Sequence, residues 1–202
     1  TLLSDRVHQD RSVHGMEGWV QATLVDQAKR GDAEAFDSLA RMVGDRCMGI
    51  AFRILRDADL AEDAVQTAFI TAWRELRSLR NPDLFEPWLH RILTHACYAE
   101  ARHRTRWAAG IRLLPAEPVH GLDNTLTVDD RDQLERALRR LTIEQRAVLV
   151  FHHYLGLSIS EVADRIGIPV GTAKSRLHHA TRAMRASLEA DARTSTNQER
   201  MA

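Results

Sequence analysis

Between residues 170 and 185 the sequence carries Lys174, Arg176, Arg182 and Arg185, and not one Asp or Glu. Thr172, Ser175, His178 and His179 lie among them, so one short segment offers cations, hydroxyls and imidazoles without a competing carboxylate. Such a face suits phosphate oxygens and the acceptor edge of guanine in a DNA major groove. The asymmetry is local, because the whole chain of 202 residues balances 28 basic against 28 acidic side chains. The plainer alternative is a helical hairpin with a solvated basic face.

Other chemistry is thinly supported. Ten histidines invite a search for metal or acid–base sites. His152-His153 and His178-His179, however, are adjacent pairs whose members face different directions on a helix, unlike ligands at i and i+4. Cys47 and Cys97 belong to no CxxC and sit among apolar helical positions, so a reduced, buried pair is expected and a zinc site is not. No glycine-rich phosphate loop, nucleophile elbow or pair of catalytic carboxylates stands out. The expectation is therefore no catalytic residue, no metal and no cofactor. No apolar run approaches the ~18 residues of a membrane span and no signal-peptide core opens the chain, so a soluble cytoplasmic protein without membrane insertion is expected.

The basic face needs a scaffold, and the spacing supplies one. Ser158 to Glu161 has capping-box spacing and opens a short helix, Ile159–Ile166. Gly167 can take the left-handed turn, and Pro169 introduces a longer helix with Val170, Ala173, Leu177, Ala180, Met184 and Leu188 inward. These are helix-turn-helix proportions. Just upstream, Leu134, Leu138 and Leu141 mark one helix, and Thr142 to Gln145 caps another that runs through Val148, Leu149 and Phe151 to Gly156.

The N-terminal half is also helical. Val20, Leu24 and Ala28 share a face before Gly31-Asp32 restarts the chain. Phe36, Leu39, Met42, Val43, Cys47, Ile50, Ile54 and Leu55 form the next stripe. Asp57 or Asp59 caps a third helix with Leu60, Ala64, Val65, Ala68, Phe69, Ala72, Trp73 and Leu76 inward. After the connection 78–83, Pro87 suits the first turn of a fourth, whose inner face is Trp88, Ile92, Leu93, Ala96 and Cys97. With 44% hydrophobic residues, 5% aromatics and no convincing alternation, the fold class is all-α: an N-terminal bundle and a C-terminal helix-turn-helix domain joined by a flexible linker. The expected divisions are a tail at 1–17, a bundle at 18–105, a linker at 106–127, a helix-turn-helix domain at 128–190 and a tail at 191–202. Met16 is a candidate start residue.

Two long segments resemble one family. The run from Leu157 to His178, with Ser158-Ile159-Ser160-Glu161-Val162-Ala163 and Gly167-Ile168-Pro169-Val170-Gly171-Thr172-Ala173-Lys174-Ser175-Arg176-Leu177-His178, closely resembles the DNA-binding domain of extracytoplasmic-function (ECF) sigma factors. Ala61-Glu62-Asp63-Ala64-Val65-Gln66-Thr67-Ala68-Phe69, Ala72-Trp73 and Phe85-Glu86-Pro87-Trp88-Leu89-His90-Arg91-Ile92-Leu93 resemble that family's N-terminal domain, in the right order.

The resemblance implies a factor that brings core RNA polymerase, through its clamp and flap, to promoter DNA and opens it, serving a stress or signal regulon. By analogy Asp57, Asp59, Glu62, Asp63 and Gln66 face the polymerase. Arg77, Arg80, Asn81, Asp83, Arg91, His95 and Arg102 meet the melted minus-ten strand, with Arg104 and Arg106 nearby. Thr172, Lys174, Ser175, Arg176, His178, His179 and Arg182 read the minus-thirty-five duplex. An anti-sigma protein is an implied partner that no residue here identifies. The chain departs from the family pattern at His95, where Asn is frequent, at Ala99, where an acid or amide is frequent, and at Ala173, usually Val or Ile. The competing function is a helix-turn-helix regulator that acts without core polymerase.

Overall fold

Capping decides where the helices begin. In the computed structural model, which describes residues 19–110 and 128–199, helix α1 spans 19–29 and is followed by Gly31 at φ 101°. The Asp32 carboxylate accepts from the Glu34 and Ala35 N–H groups and opens α2, Ala33–Leu55. Asp57, rather than Asp59, caps α3, Ala58–Glu75, accepting from the Leu60 N–H at 3.1 Å. Two 3-10 turns, Leu76–Ser78 and Pro82–Leu84, then lead into α4, Phe85–Gly110.

The second block is α5 (Val128–Arg139), α6 (Ile143–Leu149), α7 (Ile159–Ile166) and α8 (Val170–Glu199). Reciprocal capping boxes open α6 (Thr142 with Gln145) and α7 (Ser158 with Glu161), as their spacing requires. The helix expected to run to Gly156 instead widens into a π turn at Val150–Tyr154. There the Leu155 N–H reaches back to the Val150 carbonyl, and Gly156 turns the chain at φ 68°. Among the described residues every regular element is helical.

Several positions differ from the stripes read off the sequence. Met42 and Trp73 are exposed, at 47% and 39%, as are Val20, Val170 and Leu188. Met42 lies one residue, about 100° of rotation, off the buried line Leu39–Val43–Cys47, so it faces water. The inner face of α4 is Phe85, Leu89, Leu93, Ala96 and Cys97, while Trp88 and Ile92 are half-buried at its border. Both cysteines are free and buried.

Two helices run past the expected divisions: α4 continues to Gly110, five residues into 106–127, and α8 continues to Glu199, beyond 190. The expected tail at 1–17 and the rest of the expected linker, 111–127, lie outside the described residues. One apolar cluster draws on both halves. Val148, Val150, Phe151, Val162 and Ile166 belong to the same core as Leu39, Ile50, Leu89 and Leu93. No stripe in the sequence specifies that junction.

Candidate nucleic-acid interface

The helix-turn-helix is built on small residues. Ala163 on α7 and Ala173 on α8 are both fully buried, which lets the two helices approach closely. Gly167 closes α7 at φ 75°, and both its own N–H and that of Ile168 donate to the Ala163 carbonyl. A Cβ on Gly167 would sit 2.9 Å from Nε of the exposed, flexible Arg91 side chain, which can move aside, so it is the positive φ that calls for glycine.

On α8, Ala180 and Ser187 continue the buried line from Ala173, and Lys174, Ser175, His178, His179, Arg182 and Arg185 are exposed. Ser175 spends its hydroxyl locally, donating to the Thr172 carbonyl at 3.0 Å, and Thr172 itself is half-buried. Arg176 departs from the group. It is half-buried, and its Nη1 has neither solvent nor a hydrogen-bond partner. The Tyr98 hydroxyl, within reach of Arg176's charge, is likewise buried and unpaired. Burial pushes the Tyr98 phenol up to about 12, partly offset by Arg176.

The residues expected to meet a melted strand form two exposed groups. Arg77, Arg80, Asn81 and Asp83 surround the turn before α4, where the Asn81 side chain accepts from the Asp83 N–H at 3.1 Å. Arg91, His95 and Arg102 follow at helical spacing along α4 and are exposed. Arg102 lines a shallow depression with Ala99, Glu100, His103 and Arg106. Arg104 is not free for this role: it pairs with Asp57.

That pair also engages Asp57, one of the residues expected to face the polymerase. Burial alone would raise its carboxyl, but hydrogen bonds from the Leu60 N–H and the Arg104 guanidinium outweigh it and hold the group below the ordinary carboxylate value. Asp59, Glu62, Asp63 and Gln66 remain exposed on one face of α3. Next along that face come Ile70 and Trp73, the latter with its ring 5.0 Å from Phe36.

Sequence reading missed several residues that shape this region. Lys29 Nζ donates to the Leu79 carbonyl at 2.8 Å and props the 78–83 connection. Its being one of only two lysines was the available signal. His90, on α4, is buried and stands edge-on to Phe151 at 5.5 Å. Arg165 Nη1 donates to its Nδ1 at 2.9 Å. A guanidinium can only donate, so this imidazole is neutral with its proton on Nε2.

Burial first, then the charges of Arg165 and Arg46, hold His90 at about 3 against an ordinary 6.5. The unfolded chain therefore binds the extra proton as pH falls through 6.5, and stability that is complete above that value declines toward pH 3. Between pH 7 and 5 this one group is expected to remove about 2 kcal/mol. The measurement is the difference in pH dependence of urea unfolding between the native chain and His90→Gln. Equal slopes would refute a buried neutral imidazole.

Comparison with known proteins decides the family. The Sigma-70 region 2 family matches residues 39–107, and the Sigma-70, region 4 family matches 131–184. ECF RNA polymerase sigma factor SigM of Mycobacterium tuberculosis is 36% identical over 156 residues, covering 77% of this chain and 78% of SigM. The chain belongs to the ECF sigma factors. RNA polymerase sigma-H factor of Pseudomonas aeruginosa is 30% identical over 178 residues, 82% of this sigma factor and 92% of that one.

Two solved structures share the fold at 24% identity. CnrH in complex with the cytosolic domain of CnrY has a TM-score of 0.62, covering 85% of this chain and 99% of that one. RpoE with the anti-sigma factor NepR from Bartonella quintana has a TM-score of 0.65, covering 79% and 99%. This sigma factor is a transcription initiation factor for promoter recognition, and a regulator acting without core polymerase is not favoured. Its region 2 match covers most of α2, all of α3 and most of α4, whereas region 4 runs from within α5 through α6 and α7 to residue 184, half-way along α8, and so contains most of the basic face. No helix among the described residues is long and apolar enough to cross a membrane.

Proposed function

We propose that this sigma factor divides promoter reading between its two matched regions. Asp59, Glu62, Asp63 and Gln66 dock on the clamp of core RNA polymerase. Arg77, Arg80, Asn81, Asp83, Arg91, His95 and Arg102 hold the unpaired minus-ten strand, where backbone phosphates meet arginine and unstacked bases are captured. Lys174, His178, His179 and Arg182, on the α8 face, enter the minus-thirty-five major groove. The exposed, acid-free stretch 170–185 of α8 is the observation that carries this reading.

The chain performs no catalysis itself in this scheme; it supplies recognition to the polymerase, working in the cytoplasm for a stress or signal regulon. Anti-sigma factor control is a further proposal, since the solved relatives include a sigma factor bound to an anti-sigma factor.

Reconstitution with core polymerase on a genomic fragment library tests the whole. Promoter-specific transcripts are expected, and failure to bind core would sink the proposal. Lys174→Ala and Arg182→Ala are each expected to weaken duplex binding across sequences and to reduce the slope of log affinity against log salt by about 1. Core binding should not change. An unaltered salt slope in both variants would remove these side chains from the interface.

A further inference from the structure

The connection between α3 and α4 carries Arg80, Asn81 and Asp83, yet little holds it to the rest of the fold. From residue 77 to residue 84 Leu79 alone is buried, and Arg77, Arg80 and Asn81 around it are exposed. Leu79 leaves the 3-10 turn in an extended conformation, at φ −70° and ψ 108°, and its N–H donates to the Leu76 carbonyl at 3.1 Å. Its own carbonyl lies beyond the helical ladder, and no backbone N–H among the described residues reaches it. Lys29 Nζ does, at 2.8 Å, from the last residue of α1. Donor and acceptor stand 50 positions apart in the chain, so neither local capping nor helix propensity explains the contact.

A peptide unit is planar and rigid, so the Leu79 carbonyl and the Arg80 N–H turn together. The ammonium that holds the carbonyl therefore fixes the direction in which Arg80 leaves the backbone. Beyond Arg80 the chain is tied again. Asn81 Oδ1 accepts from the Asp83 N–H and the Asn81 carbonyl from the Leu84 N–H, both at 3.1 Å. We propose that Lys29 is a positioning residue for strand capture, holding the 78–83 connection in the conformation in which Arg80 and Asn81 meet the unpaired minus-ten strand. This role rests on the strand site proposed above. It draws α1, which lies N-terminal to the region 2 match at 39–107, into promoter opening. A connection ordered beforehand loses little freedom when a strand binds; once released, it must order at that moment, and strand affinity falls.

Two substitutions at this position separate the donor from the side chain that carries it. Lys29→Met removes the donor at nearly the same length, and Lys29→Arg keeps one that can reach the carbonyl. Holoenzyme is assembled from the full chain and core polymerase. The probe is the labelled non-template minus-ten strand of a promoter recovered from the fragment library, supplied as a single-stranded oligonucleotide. Lys29→Met is expected to weaken binding of that strand about tenfold, with core binding and minus-thirty-five duplex binding within about twofold of native. Lys29→Arg should recover most of the loss.

Coupling to Arg80 distinguishes positioning from direct contact and from a general loss of stability. Arg80→Ala alone should also weaken strand binding. Adding Lys29→Met to it should weaken binding by no more than about a further twofold, because the contact that Lys29 orients has gone. Additive losses would overturn positioning, since Lys29 would then act by itself, on a phosphate or on the fold. Equal weakening of core and strand binding by Lys29→Met would overturn it too. If Arg80→Ala weakens strand binding and Lys29→Met does not, the strand site stands and only the positioning role falls. If Arg80→Ala changes nothing, the strand site itself fails at Arg80 and the role of Lys29 fails with it.

Discussion

Phe151→Ala is expected to lower the free energy of unfolding by about 3–5 kcal/mol, with the loss shared by both halves of the chain. Phe151 is fully buried, in the π turn after α6, and its ring meets His90 of α4. The cluster around it includes Val148 and Ile166 from the C-terminal block and Leu89 and Leu93 from α4. Deleting the ring removes apolar burial from both sets and leaves a void that the rigid turn cannot close, since the Phe151 carbonyl is itself held by the Leu157 N–H at 3.2 Å. Urea unfolding followed by far-ultraviolet circular dichroism measures the cost. Hydrogen exchange then shows where it falls, with faster exchange expected in α4 as well as in α6 and α7. A cost below about 1 kcal/mol, or faster exchange confined to α6 and α7, would mean that the halves do not share this core.

Local structure was legible because its determinants are local. Thr142 with Gln145, Ser158 with Glu161, and Gly167 after Ile166 each specify a helix end within a few residues, and all three form as the spacing requires. The choice of Asp57 over Asp59 was not, since either could cap α3 and only the geometry of the Arg56 turn selects one. Stripe reading placed Met42 and Trp73 inside because an apolar side chain shows its type in sequence but not whether a neighbouring helix covers it. The π turn escaped notice because one extra residue in a turn hardly perturbs the periodicity.

The candidate site divides along the same line. Lys174, His178, His179 and Arg182 stand exposed on α8, where a buried alanine line leaves them no alternative. Asp57, Arg104 and Arg176 are drawn elsewhere by partners or cover from distant segments, which no window of sequence contains. His90 was the hardest of all. Within the family-like run it looks like one more polar residue on α4, and only the packing of α7 gives it Arg165.

Arg146→Ala is expected to cost about 3 kcal/mol or more, for a reason different from Phe151. Its guanidinium gathers three backbone carbonyls: Ile54 at 2.6 Å, Leu141 at 2.9 Å and Leu138 at 3.3 Å. These lie at the C-terminal end of α2 and around the end of α5, where helix carbonyls lack intrahelical donors and the negative end of the dipole favours a cation. Burial lowers Arg146 from its ordinary value, while Glu144 pulls the other way. The cost of holding a charge there is offset only by the three acceptors, so truncation strands carbonyls from both halves. Arg146→Lys keeps the charge but not the planar fork, and one ammonium cannot serve three carbonyls so spread; it should recover well under half of the loss. Chemical unfolding of both variants measures this, and hydrogen exchange should quicken in the last turns of α2 and α5 together. If Lys restored full stability, the charge rather than the three-carbonyl geometry would be what joins these helix ends.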